Sequence, residues 1–203
     1  MNQDETKQSA RRAEQWRVFC AVEIPDALKA EADNYIARLR RDAPHADARW
    51  ERTEKLHITL KFLGEITPSR ADDLARAAAR AASSVAPFSL AVKGTGAFPP
   101  RGMARALWLG IEDASGGLAG LQQRFEDECA HEGFTREQRP FHPHLTIARL
   151  RTPASTRALA ELHRRTEFES EAFGVEELVV MRSELGAGGS RYTALSRHKL
   201  AGV

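Results

Sequence analysis

The residues of this chain whose types and spacing could do chemistry belong to two copies of a short motif, a histidine followed two positions later by a threonine. The copies are His57-Ile-Thr59 and His144-Leu-Thr146, each within an apolar run of β-forming residues. Side chains two residues apart on a strand point to the same face. One such motif would most simply be a half-buried histidine bonded to a neighbour. Two copies predict a shared cleft lined by both.

Two histidines on separate strands can divide a proton transfer between them. One imidazole can take a proton from an attacking hydroxyl while the other gives a proton to a leaving oxygen. Thr59 and Thr146 add hydroxyl and backbone donors suited to the non-bridging oxygens of a phosphate. The repeated motif therefore predicts cleavage or transfer of a phosphodiester.

Two further residues close to the motifs are candidates for contacting the substrate. The planar guanidinium of Arg149 suits phosphate. Strict alternation from His144 places Arg149 on the opposite face, so it can reach the cleft only if the strand ends or bulges near Ala148. By the same alternation Phe62 falls opposite Thr59. Core packing is the favoured role for Phe62, and stacking on a base is the alternative.

A metal centre is the main rival to this chemistry, because histidine is a common ligand of transition metals. Neither motif has an acidic residue beside its histidine, and no third ligand follows at a recognisable spacing. We expect no metal and no cofactor. His142 can share the face of His144 and stays a second candidate. The remaining histidines are interpreted as surface residues: His45, His131, His163 and His198.

Mixed elements have to position the motifs. β-prone runs and amphipathic helical segments are interspersed without regular β-α-β alternation, which favours an α+β fold. A glycine-containing stretch, residues 94–101, is interpreted as a loop, and its Arg101 and the nearby Arg105 are secondary candidates for contacting RNA. With 203 residues, the chain can bury a sizeable core without disulfides.

Composition excludes several classes of protein. Hydrophobic residues make up 42% and charged residues 29%, and no uncharged apolar run approaches the length of a membrane span. Cys20 and Cys129 lack a partner spacing and are interpreted as reduced thiols of a cytoplasmic protein. A formal net charge of +2 is compatible with an anionic ligand. Residues 1–15 are polar and are expected to form a flexible extension.

Several longer stretches together carry a resemblance to a known family. The stretches are Leu56-His-Ile-Thr-Leu-Lys-Phe-Leu-Gly64, Leu107-Trp-Leu-Gly110, Arg139-Pro-Phe-His-Pro-His-Leu-Thr-Ile-Ala-Arg149 and Arg182-Ser-Glu-Leu-Gly186. On these stretches, and over Trp16 to Leu200, the chain resembles the two-histidine phosphoesterases, specifically the bacterial RNA 2′,3′-cyclic phosphodiesterases, also called 2′-5′ RNA ligases.

The resemblance implies a fold and an activity. The fold would be bilobal and pseudo-twofold, with two antiparallel-rich sheets and flanking helices around a central cleft, in a single domain over residues 16–203. The activity would be metal-independent hydrolysis of RNA 2′,3′-cyclic phosphate ends to 2′-phosphomonoesters. His57 would be the proton donor and His144 the proton acceptor, while Thr59, Thr146 and Arg149 would hold the phosphate.

The alternatives are a 2′-5′ RNA ligase or a 2′,5′-phosphodiesterase at the same site, because the same acid-base pair can run the reaction in reverse. A non-catalytic module that binds RNA ends is a third possibility. The expected substrates are RNA ends or cyclic nucleotides. We expect a monomer without an obligate protein partner and without a membrane.

Overall fold

A computed structural model describes residues 14–186 and 189–202. The predicted extension, residues 1–15, lies outside the described residues except for its last two. Within the described residues the chain forms nine strands, four helices and one 3-10 turn. In chain order these are β1 (Trp16–Glu23), α1 (Asp26–Asp42), β2 (Ala48–Trp50), the 3-10 turn (Thr53–Lys55), β3 (His57–Ile66), α2 (Pro68–Ser83), β4 (Phe88–Phe98), β5 (Ala106–Glu112), α3 (Gly117–His131), β6 (His144–Leu150), α4 (Pro153–Arg165), β7 (Phe173–Val175), β8 (Glu177–Gly186) and β9 (Gly189–Lys199).

The strands form two sheets, one in each lobe. The first has the order β3-β1-β8-β9 and the second the order β2-β6-β5-β4-β7. Every neighbouring pair of these strands is antiparallel. The predicted α+β fold with two antiparallel sheets is confirmed. It differs from a doubly wound fold because none of the nine described strands is joined to a parallel neighbour by a helix.

The chain order contains the pseudo-twofold symmetry. The first half runs β1, α1, β3, α2, β4 and the second runs β5, α3, β6, α4, β8. In each half the first two strands lie in the same sheet, and the third strand lies in the sheet of the other half. Strand β4 therefore pairs with β5, and β8 pairs with β1. This exchange joins the lobes, and β3 and β6 come close to each other across the cleft.

Helices cover the outer faces of the sheets. Helix α2 begins at Pro68, whose fixed φ suits the first turn, and the Thr67 hydroxyl accepts a hydrogen bond from the Arg70 backbone N–H. Its alanine-rich stripe is buried and packs towards β8 and β9, while α3 packs beside it. Ion pairs from Arg80 to Glu128 and Glu132 join α2 to α3. Helix α4 packs on β4 and contacts α1 in the corresponding way.

Strand β1 shows how one strand serves both faces of its sheet. Val18, Cys20 and Val22 belong to the main core under the helices. The intervening Phe19 and Ala21 belong to a second, smaller cluster on the opposite face, against Val179, Met181 and Tyr192. This second cluster forms the concave face of the first sheet, towards the cleft. No helix among the described residues is long and apolar enough to cross a membrane.

The predicted loop over residues 94–101 is wrong in its first half, because β4 continues through both glycines to Phe98. Gly96 lies opposite Trp108 on β5, and a Cβ at Gly96 would come within 2.1 Å of the indole ring. Glycine is therefore required here by an aromatic ring that lies over the strand. Gly94 has φ +83° at a shift in register, which marks a bulge within the strand.

The interpretation of His163 as a surface residue is also wrong. Its side chain is completely buried, with Nδ1 2.9 Å from the Tyr35 hydroxyl and Nε2 within 3.1 Å of the carbonyl oxygens of Gly96 and Trp108. Burial lowers the pKa of His163, which favours the neutral ring. His45 and His131 are exposed, as expected.

Candidate active site

The bulge that Arg149 requires is present in β6. Thr146 and Ala148 face consecutive residues of β5, so Ile147 between them is an extra residue without a partner of its own. Ile147 and Ala148 are both buried, and the alternation resumes one residue late. Arg149 is thereby returned to the face that carries His144 and Thr146, and its side chain is exposed.

Arg149 lies among charged groups of the cleft. Its Nε is 3.5 Å from Glu51 Oε1. Arg49 on β2 is directly opposite Arg149 in the antiparallel pair, so both side chains occupy the same face. The Arg49 guanidinium reaches the first lobe, where it lies 2.8 Å from the position that a Cβ on Gly189 would occupy. Two arginines on adjacent strands thus face the space between the lobes.

Strand β3 has a bulge at the equivalent position. Leu60 is the extra residue here, since Thr59 and Lys61 face consecutive residues of β1. Lys61 is buried and the next side chain, Phe62, returns to the cleft face. Phe62 is 71% exposed, so the prediction that it packs in the core is wrong. Its ring lies 5.8 Å from that of Phe19.

The two imidazoles are held by the same hydrogen bond. His57 Nδ1 is 2.7 Å from the carbonyl oxygen of Lys55, and His144 Nδ1 is 2.7 Å from the carbonyl oxygen of His142. A carbonyl oxygen only accepts, so Nδ1 donates in both rings and Nε2 is the nitrogen left for a substrate. His142 therefore acts through its backbone, while its own side chain is exposed.

Aromatic rings fix the two histidines from the side. The His57 ring stacks on Phe19 with 4.7 Å between centroids and meets the edge of Tyr192 at 5.3 Å. The His144 ring meets Phe98 at 5.0 Å. None of these aromatic partners was identified from the sequence, because each comes from a strand distant in the chain. Only the strand order, which the motif does not encode, would have found them.

Burial lowers the pKa of both histidines, but their charged neighbours act in opposite directions. For His57 the carboxylates of Glu51 and Glu23 raise the pKa and so offset part of the effect of burial. For His144 the guanidinium of Arg149 lowers the pKa further. His57 therefore holds a proton more readily than its burial alone would allow, and His144 less readily.

The threonines complete the cleft face. Thr59 and Thr146 are half-buried, and neither hydroxyl forms a hydrogen bond with another described residue. Both remain available for a ligand. Arg101 and Arg105 lie on the exposed loop between β4 and β5. In the part of the chain that the structure describes, no group of three or more His, Cys, Asp or Glu side chains is placed to hold a metal ion.

Comparison with known proteins identifies relatives over most of the chain. A sequence profile of the 2′-5′ RNA ligase superfamily matches residues 24–187. An RNA 2′,3′-cyclic phosphodiesterase of Geobacillus stearothermophilus is 36% identical over 163 residues, which are 78% of this chain and 50% of that protein. An RNA 2′,3′-cyclic phosphodiesterase of Methanothermobacter thermautotrophicus is 30% identical over 187 residues, which are 91% of this chain and 98% of that protein.

Solved structures agree with these relatives. The protein TT0787 of Thermus thermophilus superposes with a TM-score of 0.76 at 27% identity, covering 92% of this chain and 98% of that one. LigT of Escherichia coli complexed with 3′-AMP superposes with a TM-score of 0.71 at 28% identity, covering 92% and 99%. The chain, with its two histidine motifs and its exchanged strands, belongs to the 2′-5′ RNA ligase superfamily.

Proposed function

We propose that this protein hydrolyses 2′,3′-cyclic phosphate ends of RNA to 2′-phosphomonoesters by acid-base catalysis with two histidines and without a metal. The observation that carries the proposal is the pair of imidazoles on equivalent strands, each with Nδ1 tied to the backbone and Nε2 left free. Burial lowers the pKa of both rings, and the charged neighbours offset part of that lowering at His57 and add to it at His144. The names of the relatives support the substrate class.

In the proposed reaction, His144 Nε2 takes a proton from a water molecule as the water oxygen attacks phosphorus. The bond between phosphorus and the ribose 3′ oxygen breaks, and His57 Nε2 gives that oxygen a proton. The phosphate remains attached through the 2′ oxygen. His144 is then protonated by the proton taken from water, and His57 is neutral because its proton is on the 3′ oxygen; proton exchange with solvent restores both rings.

The assignment of donor and acceptor follows from the charges around the rings. A general acid must begin protonated, and the carboxylates of Glu51 and Glu23 favour the imidazolium form of His57. A general base must begin neutral, and Arg149 favours the neutral form of His144. The reverse assignment would need each ring to work against its neighbours.

The phosphate would be held by Thr59, Thr146 and Arg149. The threonine hydroxyls lie on the histidine face of each strand, and the guanidinium of Arg149 can present two donors to the non-bridging oxygens. Negative charge on those oxygens increases in the transition state, so fixed donors there favour reaction over binding. Phe62, exposed on the same face as His57 and Thr59, would stack on a base of the substrate.

Ligation and 2′,5′-phosphodiester cleavage are the second candidate at this site. If a ribose hydroxyl replaces water as the nucleophile, the same two histidines join RNA ends, and the reverse reaction cleaves a 2′,5′ linkage. Water is far more concentrated than RNA ends, so hydrolysis is the favoured outcome. A non-catalytic RNA-end module is the third, and the complete set of both histidines and both threonines supports an enzyme instead.

We also propose that residues 16–203 form one domain, a monomer located in the cytoplasm. Exchange of β4 and β8 leaves neither lobe with a complete sheet of its own. The two cysteines are free and buried, which is compatible with a reducing compartment. Light scattering coupled to size-exclusion chromatography would measure the oligomeric state.

The test is product analysis with short RNAs ending in a 2′,3′-cyclic phosphate, in the presence of excess chelator. We expect complete conversion to the 2′-phosphate, identified by phosphorus NMR against authentic 2′ and 3′ monoesters. Activity lost in chelator and restored by zinc or manganese would refute the metal-independent mechanism. Tight binding of the RNA without any product would favour the binding module.

A further inference from the structure

A groove with a volume of about 530 Å³ opens beside His57, between the 3-10 turn before β3 and the strands β8 and β9. We call it the acid-side groove. Its apolar lining includes Leu56, Met181 and Tyr192, and its volume lies within the range of sites that hold small organic ligands. An RNA base and ribose need apolar contact area of this kind together with polar groups at the edge.

The edge of the acid-side groove is cationic. Among the described residues that line it, and leaving His57 aside, five side chains are basic and two are acidic: Lys29, Arg52, Lys55, Arg191 and Arg197, with Glu23 and Glu54. Several of the basic groups have local partners. Arg197 Nη1 is 2.6 Å from Glu23 Oε2, and Lys29 Nζ is 2.9 Å from Asp26 Oδ1. These two charges are largely neutralised.

Arg52 and Arg191 take less part in ion pairs within the protein than Arg197 and Lys29 do. The contact between Arg52 and Glu54 is 4.0 Å, with both side chains more than half exposed. Arg191 forms no ion pair with any residue in the described ranges. Lys55 donates to the backbone carbonyl of Ser190, which ties the turn before His57 to the start of β9. Arg52 and Arg191 are therefore the side chains available to bind an anion in this groove.

Cationic groups also connect the groove to the proposed phosphate site. Arg49 and Arg149 are cross-strand neighbours on the cleft face, and the Arg49 guanidinium lies against Gly189, which lines the groove. Glu51 offsets part of the charge of Arg149, whereas Arg49 forms no ion pair with a residue in the described ranges. Positive charge thus continues from Arg149 to the groove beside the proposed acid, as a polyanion would require.

The proposed chemistry decides which part of the substrate enters this groove. The oxygen protonated by His57 is a ribose 3′ oxygen, and after the bond breaks it stays on the RNA. The terminal ribose must therefore lie on the His57 side, and the attacking water on the His144 side. The rest of the RNA extends from that ribose through its 5′ oxygen. The space beside His57 is the acid-side groove.

We propose that the acid-side groove binds the nucleotide preceding the cyclic end, with the phosphate that joins the last two nucleotides at Arg52 and Arg191. This rests on the proposed function and adds to it a binding site for the nucleotide next to the cyclic end. A cyclic mononucleotide lacks the bridging phosphate and leaves both arginines without a ligand. A dinucleotide with the same terminal base gains those contacts.

The experiment compares kcat/KM for a 2′,3′-cyclic mononucleotide and for a dinucleotide ending in the same cyclic nucleotide. We expect the dinucleotide to be favoured about tenfold, since one charge-assisted contact has roughly that effect. In the double variant Arg52→Gln with Arg191→Gln that ratio should fall to about one. Arg124→Gln removes the same type of charge from α3, which does not line the groove, and should keep the ratio of the unaltered protein.

A second measurement separates this inference from the proposed activity. Calorimetric titration with the two products, a 2′-mononucleotide and the dinucleotide ending in a 2′-phosphate, requires no turnover. The dinucleotide should bind more tightly and with a steeper dependence on salt, and the double variant should abolish both differences. Equal kcat/KM for the two substrates, or equal affinity for the two products, overturns the groove assignment while cyclic-phosphate hydrolysis stands. Preferential dinucleotide binding without hydrolysis supports the groove and overturns the proposed reaction.

Discussion

Strands β3 and β6 hold their histidines in the same way. Each imidazole donates from Nδ1 to the carbonyl oxygen two residues earlier, at the same distance of 2.7 Å. Each strand then has one extra residue directly after the threonine, Leu60 in one lobe and Ile147 in the other. The duplicated backbone thus presents two equivalent imidazoles to one cleft, which by itself would give two groups of the same strength.

The neighbours of the two imidazoles are different. Glu23 on β1 lies directly opposite His57, whereas Gly110 on β5 lies opposite His144. A Cβ at Gly110 would approach the Lys93 carbonyl oxygen to 2.4 Å, so this position excludes any side chain. The residue opposite the histidine therefore supplies a carboxylate to His57 and no side chain to His144. In the proposed mechanism, the difference between acid and base arises from a few side chains on two equivalent strands.

The two residues after each bulge also differ. The first is Lys61 in β3 and Ala148 in β6, and both are buried. The second is Phe62 in β3 and Arg149 in β6, and both are on the cleft face. In one lobe the cleft position thus offers an aromatic surface and in the other a charge. A base and a phosphate are the parts of a nucleotide that these two groups suit.

The largest expected effect is on the histidines themselves. Replacing either His57 or His144 by alanine should lower turnover about 10²- to 10⁴-fold, and the double variant should lose less than the product of the two. A substrate with sulfur in place of the 3′ oxygen has a leaving group that scarcely needs a proton. On that substrate His57→Ala should recover most of its rate and His144→Ala should not, as measured by single-turnover kinetics. The opposite rescue would exchange the roles of acid and base.

The next largest effect is expected on the stability of the fold, from Lys61, the buried residue that follows the bulge in β3. Lys61 Nζ donates to both carboxylate oxygens of Glu126, at 2.9 and 2.7 Å, and to the Thr135 carbonyl oxygen at 2.8 Å. Lys61→Ala would leave Glu126 buried without its partner and should lower the free energy of unfolding by about 3–5 kcal/mol. Denaturant titration measures this change. The double variant Lys61→Met with Glu126→Leu should recover much of it, and a single-variant loss below about 1 kcal/mol would contradict the expectation.

A smaller effect is expected from Arg149→Lys, which keeps the charge and removes the two-pronged donor. We expect kcat/KM for cyclic-phosphate RNA to fall about tenfold, because a point charge cannot reproduce paired contacts to phosphate oxygens. The matched control is Arg124→Lys on α3, which should keep the rate of the unaltered protein. Full activity in Arg149→Lys would mean that charge alone is required at this position.

The sequence predicted both motifs and the α+β class, since these features follow from residue types and local periodicity. It could not place the two bulges, because an extra residue is defined only by the partner strand. The alternation rule therefore gave the wrong face for Phe62 and only a conditional one for Arg149. For the same reason the contacts of Tyr192 and Phe98, which depend on strand order, were missed.

Local sequence patterns also failed to predict which polar side chains are buried. His163 lies in a helix with basic neighbours, which is typical of a surface position. Its ring is buried because α4 packs on β4 and the carbonyl oxygens of Gly96 and Trp108 both lie within hydrogen-bonding distance of it. The two strands satisfy Nε2 and the Tyr35 hydroxyl on α1 satisfies Nδ1, and no spacing within the helix indicates these partners.

The smallest expected effect tests the difference between Glu23 and Gly110 directly. The proposed acid must be protonated, so activity should be lost as pH rises through the pKa of His57. The Glu23 carboxylate favours the imidazolium and raises that pKa against the lowering caused by burial. Glu23→Gln should therefore move the alkaline limb of the kcat/KM profile to lower pH and leave the acidic limb, set by His144, in place.

Glu177→Gln is the matched control, because Glu177 also pairs with Arg197 but is absent from the charges that act on His57. Since the limbs of such a profile belong to the pair of histidines, NMR titration of the two imidazole C–H signals should accompany the kinetics. A shift of the His144 signal instead of the His57 signal would contradict the assigned roles of the neighbouring charges.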